Sequence, residues 1–145
     1  MNSIFTMNIL PFSECDRDDV IALWDACSLT RPWNDPHKDI DRKVAFQPEL
    51  FFVGKIQSRI IASAMAGYDG HRGSVFYLAV EPALHGKGYG QRMMAHIETT
   101  LHALGCPKIN IAVRSTNEPV LGFYDNLSYA LDDVVSLGKR LIPDM

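Results

Sequence analysis

Apolar positions along the chain follow two periods in turn. Val20, Leu23, Trp24 and Cys27 fall at i, i+3, i+4 and i+7, the spacing of one buried helix face. Asp16 stands before them as an N-cap, and Asp18 and Asp19 put negative charge in the first turn. Asp35-Pro36 opens a second, shorter helix toward Ala45 by the N-cap and proline rule. The period then changes. Residues 50–56 and 59–68 are apolar runs split by Gln57-Ser58, which predicts two strands in a hairpin. Asp69-Gly70 turns the chain into a third run, Phe76-Tyr77-Leu78-Ala79-Val80, closed by Pro82. Met94, Ile97, Leu101 and Leu104 return to helical spacing, with Gly105 as the C′ residue. Ile109, Ile111 and Val113 alternate as in a strand over residues 108–113. Asn117 then caps a helix with Pro119 in its first turn and Val120, Phe123, Tyr124 and Leu127 on one face. Residues 7–12 read as a first strand, and residues 129–131 and 134–142 as closing strands.

Composition narrows the classes. A chain of 145 residues suits a single domain over positions 1–145 with a real core. Its longest apolar stretch, near residues 60–67, is too short to cross a bilayer, and residues 1–7 lack a basic leader pattern. A net charge of −3 argues against a nucleic-acid surface and is mildly compatible with a cationic amine partner. Cys15, Cys27 and Cys106 are scattered, as reduced cytoplasmic thiols are. The histidines at 37, 85, 96 and 102 show no ligand spacing, so no metal is expected.

Between the third strand run and its helix lies His85-Gly86-Lys87-Gly88-Tyr89-Gly90-Gln91-Arg92. Alternate glycines let several backbone N–H groups converge, and a helix N-terminus adds about 0.3–1 kcal/mol toward an anion. Neither the Walker nor the dinucleotide pattern is met, because no Gly-Lys-Ser/Thr occurs and Gln91 replaces the last glycine. Spacing alone is equally served by a tight turn with no ligand.

Val80-x-Pro82 followed by Gly86-x-Gly88-x-Gly90 resembles the acyl-CoA signature of the GNAT N-acetyltransferase superfamily, with His85 where that family has Gln or Arg. Asn117, Val120, Phe123-Tyr124 and Leu127-Ser128-Tyr129 resemble its downstream half, with Val120 and Ser128 replacing small residues. Segments 31–36, 67–73 and 136–141 are similar to the bacterial YpeA-type subgroup.

The resemblance implies an α/β (α+β mixed sheet) fold: six to seven strands, splayed between the fourth and fifth, with about four helices. It implies acetyl-CoA as co-substrate, bound along Leu78, Ala79 and Val80, on the loop His85, Gly86, Lys87, Gly88, Tyr89, Gly90 and Gln91, and by Asn117 and Tyr124. Tyr124 would be the catalytic acid toward the leaving sulfur. The reaction implied is direct attack of a primary amine, on a small molecule or a protein, in a ternary complex; a homodimer is compatible with it. Glu81, Tyr77, Asp35 and a water relay stay open as the base. The other function class is a non-catalytic acyl-CoA sensor or interaction domain. Trp33, in the loop between the first two helices, is either a plug beneath that loop or a wall of the acceptor pocket.

Overall fold

The computed structural model describes residues 6–144, so the reading of residues 1–7 as free of a leader falls mostly outside them. Five strands lie side by side in chain order: β1 (Asn8–Pro11), β2 (Phe51–Ile56), β3 (Arg59–Tyr68), β4 (Gly73–Val80) and β5 (Ile109–Asn110). All neighbours are antiparallel except β4 and β5. Four helices cover the sheet: α1 (Arg17–Ala26), α2 (Pro36–Ala45), α3 (Tyr89–Ala103) and α4 (Glu118–Asn126). Their starts follow the local chemistry. Asp35 accepts the His37 N–H at 2.8 Å with Pro36 at N1. Asp16 precedes α1 as expected, but its carboxylate bonds the Ser13 N–H at 3.0 Å and Lys55 at 3.0 Å, tying the helix start to β2.

Strand alternation sorts the core onto two faces. Phe51 and Val53 pack with Val20, Leu23, Trp24 and Ile40 under α1 and α2. Phe52, Ile61, Ala62 and Ala64 pack with Met93, Met94, Ile97 and Leu101 of α3 and Tyr124 of α4. Leu104, expected on the buried stripe of α3, is the C-cap and is 53 % exposed, because the chain turns away at Gly105.

The sheet has five strands among the described residues, against the six or seven expected. β5 pairs over two residues instead of the six of the alternating run, although Ile111 and Val113 still lean on the core. Residues 129–131 and 134–142 form no strand. So short a β5 offers no ladder to extend, and Leu131, Val135 and Leu137 stay exposed. The terminal segment is instead joined back to the loop between α1 and α2 by a bridge from Asn34 to Asp144.

β4 departs from a regular strand on both of its edges. Its ladder to β5 consists of Gly73↔Ile109 and Ser74↔Asn110 and then stops, so the rest of this edge has no strand partner beyond Ser74. This is the splay the resemblance implied. On the other edge, Ser63 pairs with Ala79 but Met65 pairs with Phe76, so Tyr77 and Leu78 together oppose Ala64. That is a β-bulge, and Tyr77 takes φ of +54° in it. A left-handed non-glycine residue costs roughly 1–2 kcal/mol. Three contacts hold it there. The Trp24 ring stacks on Tyr77 with centroids 3.8 Å apart, the Trp24 indole donates to Ser63 Oγ at 2.9 Å, and Ser63 Oγ donates to the Tyr77 carbonyl at 2.9 Å. Trp24 and Ser63 are fully buried.

Ser63→Ala leaves an indole N–H and a carbonyl unpaired in a dry core. A loss of about 1–3 kcal/mol is expected in urea unfolding; an unchanged midpoint would show that the bulge is held by packing alone.

Candidate active site

Gly86 and Gly88 have φ of +80° and +84°, and Gly88 is the N-cap of α3. Both lie where a side chain would be strained, and a Cβ added at either meets nothing within 4 Å, so the backbone is bare toward solvent. The first intrahelical bond runs from the Arg92 N–H to the Gly88 carbonyl at 3.1 Å, which leaves the N–H groups of Gly90 and Gln91 ahead of it without helical acceptors. No acidic side chain occupies this first turn. The three glycines do not share one task. Gly90 packs against α4, where a Cβ would stand 3.1 Å from the Phe123 ring. Lys87 is exposed on the loop, whereas Arg92 is drawn away to the Met7 carbonyl at 3.1 Å.

His85 does not face the nest. Its Nε2 lies 2.7 Å from the Val80 carbonyl, which also accepts from the Cys27 thiol at 3.2 Å. Burial pushes that thiol's pKa up. The side chains of His85 and Cys27 thus close the end of β4. Glu81 pairs with Arg59 through one oxygen, while its other oxygen is buried with no hydrogen-bond partner. Asp35 is spent on its cap and Asp69 on its turn, where it accepts from the N–H groups of His71 and Arg72 at 2.8 Å each.

Tyr124 projects from α4 and is 8 % exposed. Its ring meets Phe123 and Tyr129 edge-on, with centroids 5.0 and 5.5 Å away. Burial alone pushes its pKa up to about 12. Tyr129 is tied to Glu98 of α3 at 2.6 Å. Asn117 caps α4 by accepting the Val120 N–H at 3.4 Å. Ser128 adopts φ of +72° just past the helix, the left-handed place its position in the motif predicts.

The bulge residue leads to a second region that the sequence did not disclose. Tyr77 donates its hydroxyl proton to Asp39 at 2.6 Å, and the Asn34 amide donates to the same hydroxyl at 3.0 Å. Burial first, then the Asp39 carboxylate, raises the Tyr77 pKa far above the ordinary phenol value, which keeps its hydroxyl a donor to Asp39. Asn34 also lines a cavity of about 580 Å³ with Arg42, Asp144 and the backbone-led segment from Gly138 to Ile142. Arg42 grips Asp144 through two bonds of 2.8 and 2.6 Å across more than half the chain. Trp33, 49 % exposed beside this region, is not a buried plug.

The family model described as "Acetyltransferase (GNAT) family" matches residues 18–129, a span that holds the bulge, the nest and Tyr124. The chain belongs to this family. It is 49 % identical over 138 residues to an acetyltransferase of Yersinia enterocolitica, covering 95 % of this chain and 98 % of the relative. A Yersinia pestis protein named as an N-acetyltransferase is 49 % identical over the same shares. The fold matches that of Ard1 from Thermoplasma volcanium, with TM-score 0.72 at 18 % identity, over 87 % of this chain and 84 % of that one. It also matches AAC(6′)-Iy bound to a CoA-linked bisubstrate analogue, with TM-score 0.73 at 16 % identity, over 93 % and 99 %. This GNAT protein is an N-acetyltransferase by its family and its relatives. No helix among its described residues is long and apolar enough to cross a membrane.

The raised Tyr124 pKa has a signed consequence for stability. An acid held neutral by burial stabilises the fold below its unfolded pKa near 10, and that contribution is lost as pH rises through about 12. Between those values the acetyltransferase should lose up to roughly 1.4 kcal/mol per pH unit through this residue. Urea titrations should show a shallower alkaline fall in Tyr124→Phe; an identical slope would mean the phenol ionises freely in the folded state.

Proposed function

We propose that this N-acetyltransferase takes its acetyl group from acetyl-CoA and passes it to a primary amine by direct attack in a ternary complex. The observation that carries the reading is the meeting of two features at the end of β4. One is a backbone edge without a strand partner beyond Ser74, and the other is the bare glycine turn at the N-terminus of α3. The residues present fit an acyl-CoA. An extended amide-bearing chain would pair along the edge of Leu78, Ala79 and Val80 that has no strand partner, although the Val80 carbonyl already accepts from Cys27 and lies against His85. A pyrophosphate finds N–H donors at Gly86 to Gln91 with Lys87 beside them, and no carboxylate in the first turn to repel it. That a structural neighbour holds a CoA-linked analogue supports the same choice.

Bound acetyl-CoA would supply the thioester carbonyl that the amine attacks. The chain's part is to hold and polarise. A backbone N–H near Leu78, fixed by the bulge and by the Trp24–Ser63 lock beneath it, would meet the charge developing on the carbonyl oxygen. No hydrogen bond holds the Tyr124 hydroxyl among the described residues, so it is available to the departing sulfur. With a pKa near 12 it serves better as a hydrogen-bond donor to that sulfur than as a full proton donor, since a thiol is the stronger acid. Asn117 would serve chiefly as the cap of α4 and His85 as the closure of β4, with their contacts to the co-substrate secondary. The base would be Glu81 or a water, because Tyr77 and Asp35 are already committed. The same reading takes residues 1–145 as one cytoplasmic domain that needs no metal and is related to the YpeA-type subgroup.

Acetyl-CoA at about 100 times its Kd should raise the unfolding free energy by roughly 2.7 kcal/mol, while ATP and NAD do less. Equal shifts from all three would remove the pantetheine part of the site. Gly88→Val should fold, strained by roughly 1 kcal/mol or more at its positive φ, and lose most acetyl-CoA affinity in calorimetry. Retained affinity in a folded variant would place the phosphates elsewhere. Tyr124→Phe keeps the packing and should lower kcat by about 10- to 100-fold with little change in acetyl-CoA binding. A kcat within about twofold of wild type would take Tyr124 out of the chemistry.

A further inference from the structure

We propose that the acceptor is a small amine that also carries an anionic group, a carboxylate or a phosphate, and that Lys139 and Arg140 bind that group. The inference rests on the acetyl-transfer reading above and names the substrate class for the same site. It starts from the cavity beside the bulge. The cavity is an open surface groove of about 580 Å³, with Leu141 and Ile142 of its wall exposed. Asn34 lines it and donates to the hydroxyl of Tyr77, the bulge residue, which ties the groove wall through one side chain to the strand proposed to hold the acetyl group.

The charges around this cavity decide what it can hold. Among the described residues, Arg42, Lys139 and Arg140 line it with one side-chain carboxylate, Asp144, in a chain whose net charge is −3. Asp144 is gripped by both nitrogens of Arg42. Its carboxyl is held below the ordinary range by Arg42 first, with Lys38 and Arg140 adding to the positive field. Asp39, the other carboxylate nearby, is equally committed: one oxygen meets Arg42 at 3.2 Å and the other accepts from Tyr77 and Asn34. An ammonium-seeking pocket needs an unspent carboxylate, and neither of these two is free.

The cations differ. The Arg42 charge is consumed, but Lys139 and Arg140 form no ion pair among the described residues. Arg140 donates only a 3.4 Å bond to the Ile142 carbonyl. Two unspent cations on the wall of a small cavity are suited to an anion. The same positive field favours the neutral form of a bound amine, which is the form that attacks. A polycationic acceptor is disfavoured on both counts. The mild compatibility of the overall charge with cationic acceptors therefore does not extend to this cavity.

The test compares CoA release from acetyl-CoA for matched acceptors: 4-aminobutyrate with 4-aminobutyramide, and O-phosphoethanolamine with ethanolamine, with putrescine as the cationic member. The anionic member of a pair should be favoured roughly tenfold in kcat/KM at low salt, with the advantage shrinking at high salt as exposed charge pairs are screened. Lys139→Gln with Arg140→Gln should raise the KM of the anionic member and collapse the ratio, while acetyl-CoA affinity stays as in wild type. Equal or better use of the uncharged or cationic members would overturn the proposal and leave acetyl transfer standing. Inorganic phosphate and acetate, followed by NMR at residues 138–142, give a second readout that needs no turnover. Saturable shifts lost in the double variant support the anion site, and their absence in wild type overturns it. Failure of acetyl-CoA to bind would instead defeat the acetyl-transfer reading.

Discussion

The hydroxyl of Ser63 holds the centre of this molecule together. It has no exposed surface, accepts from the Trp24 indole and donates to the carbonyl of Tyr77. In a dry core each of those polar groups would cost free energy if left unpaired, so the three residues are a unit. What the unit fixes is a left-handed residue in the middle of a strand. Without the stack of Trp24 on Tyr77 and the two bonds through Ser63, β4 would relax to a regular ladder, and the direction of its backbone past Tyr77 would change.

That strand borders each part of the proposed site. Its outer edge is paired to β5 at two positions only, which opens the wedge. Its end is closed by His85 and Cys27, both on the Val80 carbonyl, and leads through a single 3-10 turn at Pro82–Leu84 into the glycine turn and α3. Its bulge residue reaches through Asp39 and Asn34 to the cavity wall. The proposed donor and acceptor sides are thus linked through one residue, Tyr77, whose backbone shapes the first and whose hydroxyl meets Asn34 on the wall of the second. A disturbance of the α1–α2 loop should be felt on the strand without any direct contact with the co-substrate.

The division of labour among the glycines shows how a motif can overstate itself. Gly86 and Gly88 take positive φ and bare the backbone, as an anion nest requires. Gly90 packs instead against Phe123 of α4, whose ring would have to give by a few tenths of an ångström for a Cβ 3.1 Å away. Both demands fall on one loop because α3 must start beside the wedge and still pack on α4.

Local physical chemistry was written in the sequence. The N-cap at Asp35 with Pro36, the cap at Asn117, the left-handed Ser128, the helix stripe through Ile97 and Leu101, and the glycine turn each depend on residues within a few positions of one another. The motif order from Val80 to Tyr129 was enough to point to the family. Tertiary structure decided the rest, because those interactions join positions whose spacing carries no signal. Trp24 with Ser63, Asn34 with Tyr77 and Arg42 with Asp144 lie 39, 43 and 102 residues apart. Residues 134–142 read as a closing strand in the sequence, but a strand exists only where another edge accepts its hydrogen bonds, and the two-residue β5 supplies none. Likewise the place of the His85 side chain, which stands where the family has Gln or Arg, was set only by the fold, which brings its ring to the carbonyl of Val80.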